Sequence, residues 1–266
     1  MRMWTSKFGW MAVALAGILL TAARPALAAD SIDDLLNRAS QQVSAFLDQF
    51  SNVKCTEHVE QDKLNKDGKI ELKEESTYDY LVILTNPGGE LTLDESRIPV
   101  HEAKADKKNR AMLVSNGFAT LFLVFHPYYL NSFEFRDEGE AQVDGRTLRR
   151  IGFQHKRGTR SPAALALRGR EYPLELSGSA LLEPQTAAIV RIEAGVANTM
   201  EDVGLKVLQS EMDYAPVRFT DVKATYWFPS QAMVEVETLH QHWRNTHRFT
   251  DYKQFSVSTE EQVANK

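Results

Sequence analysis

Cys55, Glu57 and His58 stand within four positions of one another, a thiol beside a carboxylate and an imidazole. A cysteine nucleophile needs a positioned base and an electropositive setting to hold it as thiolate. Nothing in the spacing supplies that setting, so Cys55 reads as a buried, inert thiol. A second group is His240, His242 and His247. In a strand His240 and His242 point to one face, and a tight turn would fold His247 back towards them, which would suit zinc. Glu235, Glu237 and Arg248 frame this stretch as they would an ordinary solvated face, and that is the reading adopted. A third pattern mimics a calcium loop: with Gly68 at the sixth position, Asn65, Asp67, Ile70 and Glu74 fall at the third, fifth, eighth and twelfth. Lys63 then occupies the first ligand position, where a carboxylate is required, and Asp62 is one place out of register. No metal and no cofactor is therefore assigned. There is no G-x-S-x-G elbow, Walker loop, dinucleotide fingerprint or H-E-x-x-H, so the residues name no reaction.

One charged cluster stands out in an acidic chain. Lys156, Arg157, Arg160, Arg168 and Arg170 occur with no acid between them. This island could receive an anionic head group, a glycan acid or an acidic protein partner, or be a solvated loop paired with the protein's own carboxylates. Ser161-Pro162 reads as a cap and first turn, which predicts a short surface helix over 163–168.

The elements that would position such groups begin after a secretory signal. Arg2 and Lys7 precede the apolar segment Met11 to Leu20 and the exit Ala26-Leu27-Ala28. Cleavage after Ala28 removes 28 of 266 residues and leaves 238. Three basic residues and no acid leave with it, moving the net charge from −5 to −8. That charge argues against non-specific nucleic-acid binding. The expected location is the periplasm or the medium. One cysteine permits no internal disulfide. With no linker, repeat or low-complexity tract, residues 29–266 are expected to form one domain.

Ser31 with Asp34 makes a capping box before the stripe Ile32, Leu35, Leu36, Ala39, Val43, Phe46, Leu47 and Phe50, which predicts a five-turn amphipathic helix. Hairpin turns are expected at Asp67-Gly68 and Asp144-Gly145. A proline-containing turn is expected at 183–186, with further breaks at Pro229-Ser230 and Arg244-Asn245. Residues 86–110 lose apolar rhythm and read as a short hairpin and a long loop, a lid or a solvated connector. About ten strands result, enough for a sheet that must curl.

The remaining run, Phe118 to Phe125, carries no charge. Phe118, Leu121, Phe122 and Phe125 lie on one helical stripe, while Leu123 and Val124 make the other side apolar too. It reads as a helix plugging the concave side of a curved sheet and stopped by Pro127, with a buried strand as the rival. It is too short to span a bilayer, which takes about 20 residues.

This arrangement of cleaved signal, amphipathic first helix, curled antiparallel sheet and apolar helix resembles the periplasmic lipoprotein-carrier superfamily, the LolA/LolB/RseB-like half-barrels. Asn116-Gly117-Phe118, His126-Pro127-Tyr128, Asp144-Gly145-Arg146, Arg160-Ser161-Pro162, Tyr226-Trp227-Phe228-Pro229 and His242-Trp243-Arg244 resemble an uncharacterised group of secreted bacterial proteins. The resemblance implies an α+β, mostly antiparallel fold, an open half-barrel with an N-terminal helix and a buried helix on its concave side. It also implies a non-enzymatic protein holding an acyl chain, lipid or lipoprotein segment in the concavity. Phe118, Leu121, Phe122, Phe125, Tyr129 and Trp227 are the expected lining. The alternative is an envelope module binding a protein partner through the basic island and the outer surface.

Overall fold

The structure is a computed structural model that describes residues 31–85, 91–100, 121–167, 170–200, 203–219 and 225–254. Helix α1 (Ile32–Phe50) starts where the capping box places it: the Ser31 hydroxyl accepts from the Asp34 N–H at 3.2 Å, and Asp33 and Asp34 face the positive end of the helix dipole. Leu35, Leu36, Ala39, Val43, Leu47 and Phe50 are buried along one face.

The strands follow. β1 (Val53–Leu64), β2 (Ile70–Thr85) and β3 (Thr92–Pro99) come first, then β4 (Phe133–Val143) and β5 (Arg146–His155). After a small separate hairpin, β6 (Ala164–Leu167) with β7 (Arg170–Pro173), come β8 (Leu176–Leu182), β9 (Ile189–Val196), β10 (Leu205–Arg218), β11 (Thr225–Thr238) and β12 (His242–Gln254). Ten of them form one antiparallel sheet in the order β3-β2-β1-β12-β11-β10-β9-β8-β5-β4. The sheet is curled and unclosed, with β3 and β4 at its edges, so the α+β half-barrel expected from the sequence is the architecture found. Edge strand β4 carries Glu134, Arg136, Asp137, Glu138 and Glu140 and a register shift between Asp137 and Glu140, devices that blunt an edge against further pairing.

The apolar run forms a 3-10 helix, Leu121–Phe125, with all five residues buried, followed by one α turn, α2 (Pro127–Leu130). It is helix rather than strand, but tighter than the α-helix expected. Pro127 holds His126 extended, at φ −69° and ψ 141°, and the His126 N–H closes on Leu123 O at 2.9 Å, a three-residue closure. Phe118 lies outside the described residues, as do the signal segment and residues 86–90 and 101–110 of the expected hairpin and loop.

Three local expectations are corrected. Ala163 to Arg168 is not a helix: Ala164–Leu167 is β6, paired with β7 from Ala164 opposite Pro173 to Leu167 opposite Arg170. Pro229-Ser230 is a register shift within a continuous β11, and Arg244-Asn245 lies mid-strand in β12. The chain reverses instead at Leu239-His240-Gln241, where the Thr238 hydroxyl accepts from the N–H groups of His240 and Gln241.

Candidate functional site

Two features occupy the concave side. The first is an apolar cleft between α1 and the sheet. Val43, Ala45 and Phe46 supply the helix wall, Phe122 the floor, and Ala187, Ala188, Ile189, Tyr214, Tyr226 and Trp227 the sheet side. About 90 Å³ within it is open to the centre of a water-sized sphere, and about 560 Å³ is free in all when the open solvent at its entrance is counted. None of its lining residues carries a charge.

Local chemistry builds each wall. The helical repeat brings Val43 and Phe46 to the sheet side of α1. There Phe46 stacks edge-on against Phe122 at 4.9 Å and lies 5.3 Å from Phe228. Arg38 donates to Pro184 O at 3.0 Å and Gln185 O at 2.9 Å, tying the β8–β9 turn to α1. That turn needs the tie, since Ala187 is held at φ +57°. Across the mouth, Trp227 reaches a second, small apolar cluster of Leu148, Leu181 and Val190.

The second feature is a buried ionic network. Alternation along β1 points Val53, Cys55, Glu57, Val59 and Gln61 inward, and all five are buried. Glu57 is wholly inaccessible. Its carboxylate receives a fork from Arg97 of β3, at 2.6 and 2.9 Å, and a bond from His247 Nδ1 of β12, at 2.8 Å. Arg97 also donates to Glu95 at 3.0 Å and lies over the Tyr80 ring at 4.9 Å. Burial works to raise the Glu57 pKa, but the bonds from His247 and Arg97 outweigh it and hold the carboxyl below its ordinary value. With a carboxylate at Nδ1, the histidine donates from that atom; Nε2 is buried with no partner among the described residues.

The thiol nearby is inert. Burial pushes Cys55 up to about 12, more than a hydrogen bond with Tyr252 offsets. Since only the thiolate reacts, a thiol reagent at mildly alkaline pH should leave the native protein unmodified and titrate its single cysteine once urea unfolds it. Rapid labelling of the native state would contradict this burial.

The histidine triad does not assemble. His240 lies in the β11–β12 turn, His242 bonds Glu235 at 2.7 Å, and His247 points to the opposite face of β12 from His242. The calcium-like loop is a hairpin whose Asn65 side-chain oxygen accepts from Asp67 and Lys69, with Gly68 at φ +75°. Its last ligand position, Glu74, sits in straight strand β2 and cannot wrap round an ion there.

Of the lining expected from the sequence, Phe122 and Trp227 border the cleft, while Leu121, Phe125 and Tyr129 are packed in the core beside it. Tyr214, Tyr226 and the helix residues were not anticipated, although Tyr214 and Tyr226 flank apolar positions in strands already recognised. The basic island is partly spent on its own neighbours. Arg157 pairs with Glu175 at 3.0 Å, Lys156 donates to Asn131 O, and Arg160 lies over Tyr128 at 4.6 Å. Arg168 lies outside the described residues; of Arg170 only the backbone, in β7, is described.

No protein-family model matches the chain, and no curated protein matches it. Among solved structures, a DUF1329 family protein from Desulfovibrio piger ATCC 29098 is similar over 89% of this chain and 95% of its own, with 10% identity and a TM-score of 0.44. A domain described as a candidate outer membrane lipoprotein-sorting protein, from Vibrio parahaemolyticus, is similar over 88% of this chain and 94% of its own, with 9% identity and a TM-score of 0.40. Likenesses this distant do not speak to ligand or activity.

Proposed function

We propose that the protein is a non-enzymatic periplasmic binding protein that holds a hydrophobic ligand, an acyl chain or the lipid part of a larger molecule, in the cleft between α1 and the curled sheet. The observation that carries this reading is an open cleft whose lining is mostly apolar and aromatic, with Gln42 and Thr225 as its polar members beside the tyrosine hydroxyls, and contains no charged side chain. A soluble protein leaves such a surface open where something apolar is meant to cover it. No helix among the described residues is long and apolar enough to cross a membrane. The signal-like N-terminus supports export, and the two carboxylates at the buried network are committed to Arg97 and His247 rather than poised at the cleft.

Native mass spectrometry of protein purified from periplasm, followed by organic extraction, tests the reading. A released lipid or fatty acid is the expected result. Ala45 is exposed on the cleft wall of α1, so Ala45→Trp should fill the mouth and lower affinity for a fluorescent fatty acid at least about tenfold with little change in stability. Protein that carries nothing and takes up no fatty acid would end the carrier reading.

A further inference from the structure

One cation stands beside a residue of the cleft without a strong partner. Arg146, at the start of β5 just after the Asp144-Gly145 turn, does not itself line the cleft but places its guanidinium 5.6 Å from the ring centroid of Trp227, which does. Among the described residues its nearest carboxylate is Glu183 Oε2 at 3.8 Å from Nη1, beyond hydrogen-bonding distance, and it donates no hydrogen bond. Both side chains are partly open to solvent, 41% for Arg146 and 27% for Glu183. A pair that long and that wet is held weakly. By contrast Arg97, Arg149 and Arg191 each make a fork with a carboxylate.

We infer that the cleft's occupant is a single alkyl chain ending in an anionic head group, with the chain between α1 and Tyr226-Trp227 and the head group on Arg146. This rests on the binding reading above and adds to it the sign of the head group. The uncharged lining offers a cationic head no counter-ion, whereas a carboxylate or phosphate leaving the mouth meets a guanidinium already laid flat on Trp227. Its fork of N–H donors matches either anion and would exchange a long contact with Glu183 for short, charge-assisted bonds. The interior open to a water-sized sphere, about 90 Å³, is narrow, which favours one chain over the several of a diacyl lipid or triacyl anchor.

The test uses four twelve-carbon probes below their micelle concentrations: dodecanoate, dodecyl phosphate, dodecanol and dodecyltrimethylammonium, each competing with a fluorescent fatty acid on the full-length mature protein. The two anions should bind about tenfold or more tighter than the alcohol, with the cation weakest, and the margin should shrink as salt rises. In Arg146→Gln the anions should fall to the affinity of the alcohol while the alcohol's own affinity holds. Arg146→Glu should reverse the order of anion and cation. Equal binding of all four probes, or an anion margin unchanged in Arg146→Gln, overturns the assignment and leaves the carrier reading standing. Failure of every probe, dodecanol included, overturns both. If only the phosphate or only the carboxylate shows the margin and loses it in Arg146→Gln, the assignment holds and the head group is named.

Discussion

Arg97→Met should lower the free energy of unfolding by about 3–5 kcal/mol, because it leaves two buried carboxylates without their shared cation. Glu57 has no exposed surface and the Glu95 side chain has only 2%, so neither can be hydrated in place. The cost comes from stranding charge rather than from the worth of the ion pair. The triple variant Arg97→Met, Glu57→Gln, Glu95→Gln should therefore recover much of the loss. Equilibrium urea unfolding of the three proteins measures this. A single variant within about 1 kcal/mol of wild type would mean the network is open to water. The network also sets the acid limb of stability. The Glu57 pKa is lower in the folded state than its ordinary value of 4.5, so its contribution is present in full above that value and is lost as pH falls through the depressed one. Glu57→Gln should be less stable at neutral pH and show a shallower fall between neutrality and strong acid.

Phe228→Ala should cost a similar amount, about 3–5 kcal/mol, by a different route. Phe228 is fully buried and is the ring on which three elements converge. It lies 5.3 and 5.8 Å from Phe46 and Phe50 of α1, 4.8 Å from Tyr252 of β12, and 5.8 and 6.1 Å from Phe219 and Tyr226 beside the cleft. Truncation removes contacts on every side, and the helix cannot settle into the gap because Arg38 pins it to the β8–β9 turn. Phe228→Leu, which keeps much of the volume, should cost less than half as much. Denaturant unfolding followed by far-ultraviolet circular dichroism gives both values. A loss below about 1 kcal/mol for the alanine variant would show that α1 is free to collapse onto the sheet.

How much of this could be read from the chain differs by element, for physical reasons. Helix α1 carried both a cap and a stripe, two local signals that agree, and it runs from Ile32 to Phe50 as they require. The hairpins at Gly68 and Gly145 were legible because both residues stand at positive φ, which the Asp-Gly pairs announce. The turn at Leu239-His240-Gln241 contains none of the usual turn residues. It depends on the Thr238 hydroxyl, so the break was expected at Arg244-Asn245 instead. Residues 163–168 have the alanine and leucine content of a helix, but pairing of Ala164–Leu167 with β7 overrides that preference. The cleft was half legible. Phe122 and Trp227 were marked by apolar context, whereas Val43 and Phe46 looked like any helix stripe until the sheet curled over them. The ionic network was out of reach as a group, since Glu57, Arg97 and His247 meet across separations of 40 and 190 residues. Its one local trace was a carboxylate sharing the inward parity of Cys55 and Val59.

The sheet order has a consequence for how the protein is made. Strands β4, β5 and β8 to β12 follow one another as neighbours, and β1 to β3 then add to the far side of β12. The first strand translated thus waits for the last: β1 pairs with β12 from Val53 opposite Gln254 to Leu64 opposite His242. Until residues 242–254 arrive, the β1–β2–β3 ribbon and the β4-to-β11 ribbon are two half-sheets, each with an unsatisfied edge, and the Glu57 network on the first lacks His247. Closing so long a loop is slow, and the exposed edges invite pairing between chains in the interval. Completion of the sheet, and of the Glu57 network with it, therefore waits for the last strand to be made.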